Sequence, residues 1–209
     1  RWKFKHPTPE DFFRTMEDAS AVDLDWFWRG WFYTTDWVDM GIKDIKKYYV
    51  SSEPNAFMKE LMKERGLTKS QLRPLVYMVE EGSEEFEKSM NGKSALETVS
   101  VKEYLMDNFT PAERQNIKNP KYFYKMTFEK PGGLVMPIIV QYNYSDGTST
   151  METYPAQIWR LNDNEVSKVV ASEKEIISIK IDPNEETGDV DTSNNTWPRQ
   201  KEQSEFDEF

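Results

Sequence analysis

The stretch Leu134-Val135-Met136-Pro137-Ile138-Ile139-Val140-Gln141-Tyr142-Asn143-Tyr144-Ser145-Asp146-Gly147-Thr148-Ser149-Thr150-Met151-Glu152-Thr153-Tyr154 decides the fold. Leu134 to Tyr144 is a long apolar strand candidate interrupted only by Pro137, and proline in a strand marks an edge or a bulge. Ser145-Asp146-Gly147 is a tight hairpin signal, and Thr148 to Tyr154 supplies the returning strand. Outward from this hairpin the two-residue period persists. Tyr122, Tyr124, Thr127 and Phe128 lie in a strand before the Pro131-Gly132-Gly133 turn. Ala156 to Leu161 is expected to be a further strand, followed by a turn at Asn162-Asp163-Asn164. Val166 to Val170 and Glu175 to Ile181 complete the set. Short strands spaced by turns every 8–12 residues predict an antiparallel β-sandwich over residues 119–197. A polar tail over 198–209 is expected to fray.

Upstream the period changes. Thr8-Pro9-Glu10-Asp11 has an N-cap, a proline in the first turn and two acids where the helix dipole favours them. Phe12, Phe13 and Met16 follow, and this helix is expected to stop near Ser20. A second helix opens at Asp23, with Leu24, Phe27, Trp28, Trp31 and Phe32 on one stripe and Trp26 and Tyr33 outside it. Trp37 to Val50 alternates, with Val38, Met40 and Ile42 on one face, and is expected to be the first strand of the sandwich. Ile45 breaks its parity and predicts a bulge near Lys43. Residues 51–118 carry helical signals: Phe57, Met58, Leu61 and Met62 at helix spacing, a stop at Gly66, and capping pairs Thr68/Gln71, Ser100/Glu103 and Thr110/Glu113. Pro74 is expected to kink or begin a helix there. The fold class is therefore α+β: an N-terminal helix pair over 1–36, a strand over 37–50, a helical insertion over 51–118 and the sandwich.

Composition excludes several functions. The 209 residues hold 27 basic and 37 acidic side chains, a net charge of −10. That balance disfavours nucleic-acid and anionic-membrane partners, which need a local excess of Lys and Arg. No apolar run is long enough to span a bilayer. There is no Cys, so disulfides, thiolate zinc sites and cysteine nucleophiles are excluded. The single histidine, His6, rules out a two-histidine zinc site within the chain. The chain has no phosphate-binding glycine loop. The acidic run Glu80, Glu81, Glu84, Glu85 and Glu87 is expected to be a solvated face. Asp182, Asn184, Asp189, Asp191, Asn194 and Asn195 offer oxygen donors for calcium, but not at EF-hand spacing. Counted from Asp189, the sixth position is Asn194 rather than Gly; counted from Asp182, Gly188 comes one residue late. A turn whose side chains bond their own backbone is expected instead. The rings Trp26, Trp28, Trp31, Phe32 and Trp37 are expected to pack in a core, or, where exposed, to mark an interface or stack sugars.

Two segments carry a family resemblance. His6-Pro7-Thr8-Pro9-Glu10-Asp11-Phe12-Phe13, Met16-Glu17-Asp18-Ala19-Ser20 and Asp23-Leu24-Asp25-Trp26-Phe27-Trp28-Arg29-Gly30-Trp31-Phe32 resemble the last helix pair of the thermolysin-like catalytic domain in aminopeptidase N-like (gluzincin) zinc metallopeptidases. Met136-Pro137-Ile138, Tyr144 to Thr148, Ile158-Trp159-Arg160, Ile181-Asp182-Pro183 and Asp189 to Asn195 resemble the β-sandwich that follows it in secreted bacterial members. Together these cover about half the chain. The family's H-E-x-x-H signature is absent, so no catalytic, cofactor-binding or metal residue carries over. The resemblance implies a non-catalytic C-terminal fragment of a zinc aminopeptidase. Its upstream catalytic domain would hold the zinc and pack on Leu24, Phe27, Trp28, Trp31 and Phe32. Left uncovered, that face would favour a homodimer. A periplasmic or extracellular location is implied on the same ground. The alternative expectation is an independent β-sandwich module that binds glycan or protein.

Overall fold

The computed structural model describes residues 2–51, 56–68, 74–77 and 98–199. Two helices come first: α1 (Pro9–Ser20) and α2 (Asp25–Tyr33). They are followed by β1 (Gly41–Ser51), α3 (Ala56–Arg65), β2 (Leu75–Tyr77) and β3 (Thr98–Ser100). Next come α4 (Val101–Asn108), α5 (Pro111–Asn116), β4 (Tyr122–Glu129), β5 (Ile138–Tyr144) and β6 (Ser149–Tyr154). A 3-10 helix (Ala156–Arg160), β7 (Glu165–Ser172), β8 (Ile176–Ile181), a second 3-10 turn (Thr192–Asn194) and the two-residue β9 (Thr196–Trp197) complete the described elements. The strands form two antiparallel sheets, ordered β3-β2-β1-β4-β7 and β6-β5-β8-β9. The α+β class and the sandwich are as the sequence predicts.

β4 explains the layering. Tyr124, Met126 and Phe128 point inward against Val140 and Tyr142 of β5 and Ile176, Ile179 and Ile181 of β8, all buried. The alternate position, Phe123, points the other way. It packs with Tyr48, Val76 and Val169 beneath Tyr104 and Phe109, which cover it from α4 and the residue after it. The larger sheet is thus apolar on both faces. Each fully buried aromatic there contributes roughly 1.5–3 kcal/mol. Tyr124 bridges the sheets: the Ile176 N–H donates to Tyr124 Oη at 2.8 Å, and the Tyr124 hydroxyl donates to the Ile176 carbonyl at 3.4 Å.

Local rules account for the boundaries. Thr8 accepts the Asp11 N–H while Asp11 accepts the Thr8 N–H, closing a capping box at α1. Thr110 and Glu113 do the same at α5, and Ser100 caps α4 by accepting the Glu103 N–H. The pairing of β1 with β4 shifts between Ile42 and Asp44, which is the bulge at Lys43 that the broken parity required. In the Pro131-Gly132-Gly133 turn, a Cβ on Gly132 would stand 2.3 Å from the Trp37 carbonyl oxygen, so only glycine fits.

Four expectations are corrected. Ala156 to Leu161 is not a strand: Pro155 sets an extended N-cap, and Ala156 and Trp159, three apart, bury the same side of a 3-10 turn, with Trp159 Nε1 donating to the Met136 carbonyl at 3.0 Å. The strand expected from Leu134 begins only at Ile138, because Pro137 cannot donate to a ladder. The alternating segment from Trp37 pairs as a strand only from Gly41, Trp37 itself making one parallel bridge to Gly133. Pro74 neither kinks nor begins a helix; it immediately precedes β2, consistent with the β-forming run Leu75-Val76-Tyr77. Among its described residues the 51–118 segment holds three helices and in addition lends β2 and β3 to the larger sheet. The run Glu80 to Glu87, Gln71 of the Thr68 pair and the tail from residue 200 lie outside the described residues.

Candidate functional site

The helix pair is the feature the sandwich does not absorb. Its rings pack on one another: Phe13 stacks on Trp28 at 4.6 Å and 14°, Phe32 meets Phe13 edge-on at 5.0 Å, and Phe12 approaches Trp28 at 5.7 Å. Only Phe13 and Trp28 are buried in the pair, and neither belongs to the sandwich clusters. Of the stripe expected to dock, Trp28 is buried, Leu24 and Phe27 are half-buried, and Trp31 and Phe32 are 47% and 55% exposed. Phe12, Met16, Tyr33 and Trp37 are exposed as well, and Trp26 is half-buried. The rings therefore share a small core and leave an aromatic rim.

The pair meets the sandwich at few points. Arg160 donates to Asp23 Oδ2 at 3.0 Å. Gly30 lies so close to Leu134 that a Cβ would stand 2.7 Å from Leu134 Cδ2. Between these contacts runs a groove of about 610 Å³, lined among others by Trp26, Arg29, Asp36, Trp159, Arg160 and Asp163. Three separated segments build it: α2 with the residues after it, the turn at 133–135, and the 3-10 helix with its following loop. Asp36 and Gln157 carry no signal of the groove in the sequence, and Asp163 reads there only as part of a turn, because no periodicity links positions more than 100 residues apart.

Carboxylates cluster at the pair's inner corner. Ligand oxygens of Glu17, Asp23 and Asp25 lie within 4.8 Å of one another. Glu17 Oε1 already accepts from the Leu24 N–H at 3.2 Å and Trp28 Nε1 at 3.1 Å. Asp23 accepts from the Asp25 N–H through Oδ1 and from Arg160 through Oδ2. The corner thus caps α2 and fixes the Trp28 ring. His6 is exposed ahead of α1.

The oxygen-rich loop separates into three uses. Asp182, buried and left-handed at φ 46°, accepts the Glu186 and Thr187 N–H groups at 2.8 Å each and the Thr187 hydroxyl at 2.5 Å. Asp191 accepts from the Ser193 N–H and hydroxyl. Asp189, Asn194 and Asn195 instead turn toward the start of β1. Strongly displaced acidities lie elsewhere and have structural causes. The Lys168 ammonium, with Thr110, holds Glu113 down at about 2. Burial pushes the Tyr104, Tyr142 and Tyr154 phenols far up; Tyr142 and Tyr154, on the neighbouring strands β5 and β6, share a hydroxyl hydrogen bond of 2.8 Å.

The chain matches no protein-family model, no curated protein and no solved structure. Among the described residues, no helix is long and apolar enough to cross a membrane.

Proposed function

We propose that the chain is a non-catalytic structural portion of a zinc aminopeptidase-like protein, acting outside the cytoplasm, in which α1 and α2 complete a thermolysin-like catalytic domain and the sandwich is attached to it. One observation carries this reading: the segment that resembles the family's closing helix pair folds as a pair with its own ring cluster and leaves Phe12, Met16, Trp31, Phe32 and Tyr33 exposed on it. A monomeric module rarely leaves so many neighbouring large rings in water, whereas a docking face does so until its partner covers it. The zinc belongs to the companion domain. Zinc there would act on a bound water, and this chain's residues would support the wall behind it.

The test has two parts. Alone, the chain should release nothing from aminoacyl-naphthylamides above a buffer blank. In sedimentation velocity from about 1 to 100 µM it should self-associate, and Trp31→Ser with Phe32→Ser should make it monomeric while β4, β5 and β8 keep their hydrogen-exchange protection. A wild-type chain that stays monomeric, with tryptophan emission shielded from acrylamide, refutes the docking face. The groove between Trp26 and Trp159 then favours the second reading, a glycan- or protein-binding module, to be checked by calorimetric titration with oligosaccharides.

A further inference from the structure

The groove between α2 and the 3-10 helix is held in shape by bonds of its own walls. Trp159 lines it from a buried position, its ring fixed by the Nε1 bond to the Met136 carbonyl. Trp26 lines it from α2, half-buried, with Nε1 donating to the Asp23 carbonyl at 3.2 Å. Asp36 is held on both sides of its backbone: its N–H donates to Thr34 Oγ1 at 3.3 Å, and the Trp37 N–H donates to the Gly132 carbonyl at 3.0 Å. Its carboxyl lies so near Gly133 that a Cβ there would stand 2.9 Å from Asp36 Cγ. Asp163 sits in a turn closed by Asn162, whose Oδ1 accepts the Asn164 N–H at 2.9 Å and the Glu165 N–H at 3.3 Å. Arg160 is held by Asp23. A volume of about 610 Å³ falls in the range of small-molecule sites, and groups ordered beforehand lose little entropy on binding.

We propose that this groove binds a neutral glycan, with Trp26 as the stacking surface and Arg29, Asp36, Gln157 and Asp163 as the hydrogen-bonding groups. The signs of charge decide the ligand class. Asp25, Asp36 and Asp163 line the groove together with Arg29 and the Asp23–Arg160 pair. A polycation meets the guanidiniums and a polyanion meets the carboxylates, so part of the wall repels each. A hydroxyl both donates and accepts. A sugar ring therefore serves the carboxylates by donating and the guanidiniums by accepting, while its apolar C–H face suits an indole. An extended peptide fits less well. None of the lining residues belongs to a β-strand, so such a chain finds no ladder to join. The proposal rests on the reading of the groove as a binding module and deepens it. It makes no demand on the docking face, because Phe12, Met16, Trp31, Phe32 and Tyr33 do not line the groove.

The full chain is titrated calorimetrically with neutral oligosaccharides of glucose, mannose, galactose, xylose and N-acetylglucosamine, to about 10 mM, enough to saturate a Kd of about 1 mM. Heparin and hexalysine are the charged rivals. At least one neutral glycan should bind, with an affinity unchanged from about 0.05 to 0.5 M NaCl, since an uncharged ligand has no charge to screen. Trp26→Ala and Asp36→Ala should each weaken it at least about fivefold. Trp31→Ser, outside the groove, should leave it unchanged. Should Trp26→Ala fail to fold, Asp163→Ala is read in its place. Binding of heparin or hexalysine alone, weakened by Asp36→Ala or Trp26→Ala, overturns the glycan and keeps the groove a binding module. No binding by any probe overturns both. Glycan binding that survives both groove variants, or is lost equally in Trp31→Ser, overturns the site.

Discussion

Replacing Trp28 by alanine should melt the helix pair and leave the sandwich folded. The indole is 8% exposed and is the ring on which Phe13, Phe12, Phe27 and Phe32 converge. Removing a buried tryptophan costs about 3–5 kcal/mol. Within that figure, the parallel stack on Phe13 accounts for roughly 1 kcal/mol beyond area. The lost Nε1 bond to Glu17, at 3.1 Å, accounts for about another 1 kcal/mol. Against this stands a pair of 12 and 9 residues, each too short to hold a helix alone in water. Its links to the sandwich are the Asp23–Arg160 pair, 50% and 70% exposed at its side chains and so worth under about 1 kcal/mol, and the Gly30–Leu134 approach. Hydrogen exchange should therefore lose protection over 9–33 while peptides from β4, β5 and β8 keep theirs, and far-UV helix signal should fall before the sandwich melts. A variant that unfolds in one cooperative transition, with β4 and β8 deprotected in parallel, would show that the pair is an integral layer of the sandwich. It would also remove the ground for calling it a detachable docking face.

Two further perturbations test the loop and the cap. Asp182→Ala should cost about 3 kcal/mol in urea denaturation, because it strands the buried Thr187 N–H and hydroxyl and the half-buried Glu186 N–H, and puts a residue without a polar side chain at φ 46°; a cost below about 1 kcal/mol would refute that account, and Asp191→Ala, exposed, should cost little. Glu113 is held below its ordinary value of 4.5, at about 2, first by Lys168 and then by Thr110. A carboxyl lowered in the folded state stabilises fully above its unfolded value, and the contribution is lost as pH falls from about 4.5 toward 2. At full strength this would be roughly 3 kcal/mol. With the side chain 36% exposed, solvent reduces it to about 1 kcal/mol. Urea midpoints at pH 7, 4 and 3 should therefore fall less steeply for Glu113→Gln than for the wild type, and parallel slopes would count against the pairing.

What the sequence shows is what local chemistry decides. Asp146-Gly147 turns the hairpin, the period of two in Tyr122 to Phe128 assigns faces, Thr8 and Thr110 cap helices, and a parity break at Ile45 locates a bulge. The errors arise where that chemistry is silent. Ala156 to Leu161 is too short for period two and a 3-10 turn to be told apart, and the decision falls to Trp159 reaching the Met136 carbonyl. β2 and β3 are three residues each: β2 pairs with the open edge that Tyr49 to Ser51 offers, and β3 pairs with β2. Asp39 and Asn194 meet across a separation of 155 residues, and no spacing rule announces such a pair. The aromatic stripe divides the two cases within one helix. Periodicity correctly places Leu24, Phe27, Trp28, Trp31 and Phe32 together, since residues three and four apart share a helix face. It does not say what covers that face. In the structure α1 shields Trp28 through Phe12 and Phe13, while Trp31 and Phe32 stay at the rim. The unsatisfied part of the pattern is thus an aromatic edge on an otherwise self-sufficient fold, and a partner that covers it must bring apolar surface of its own.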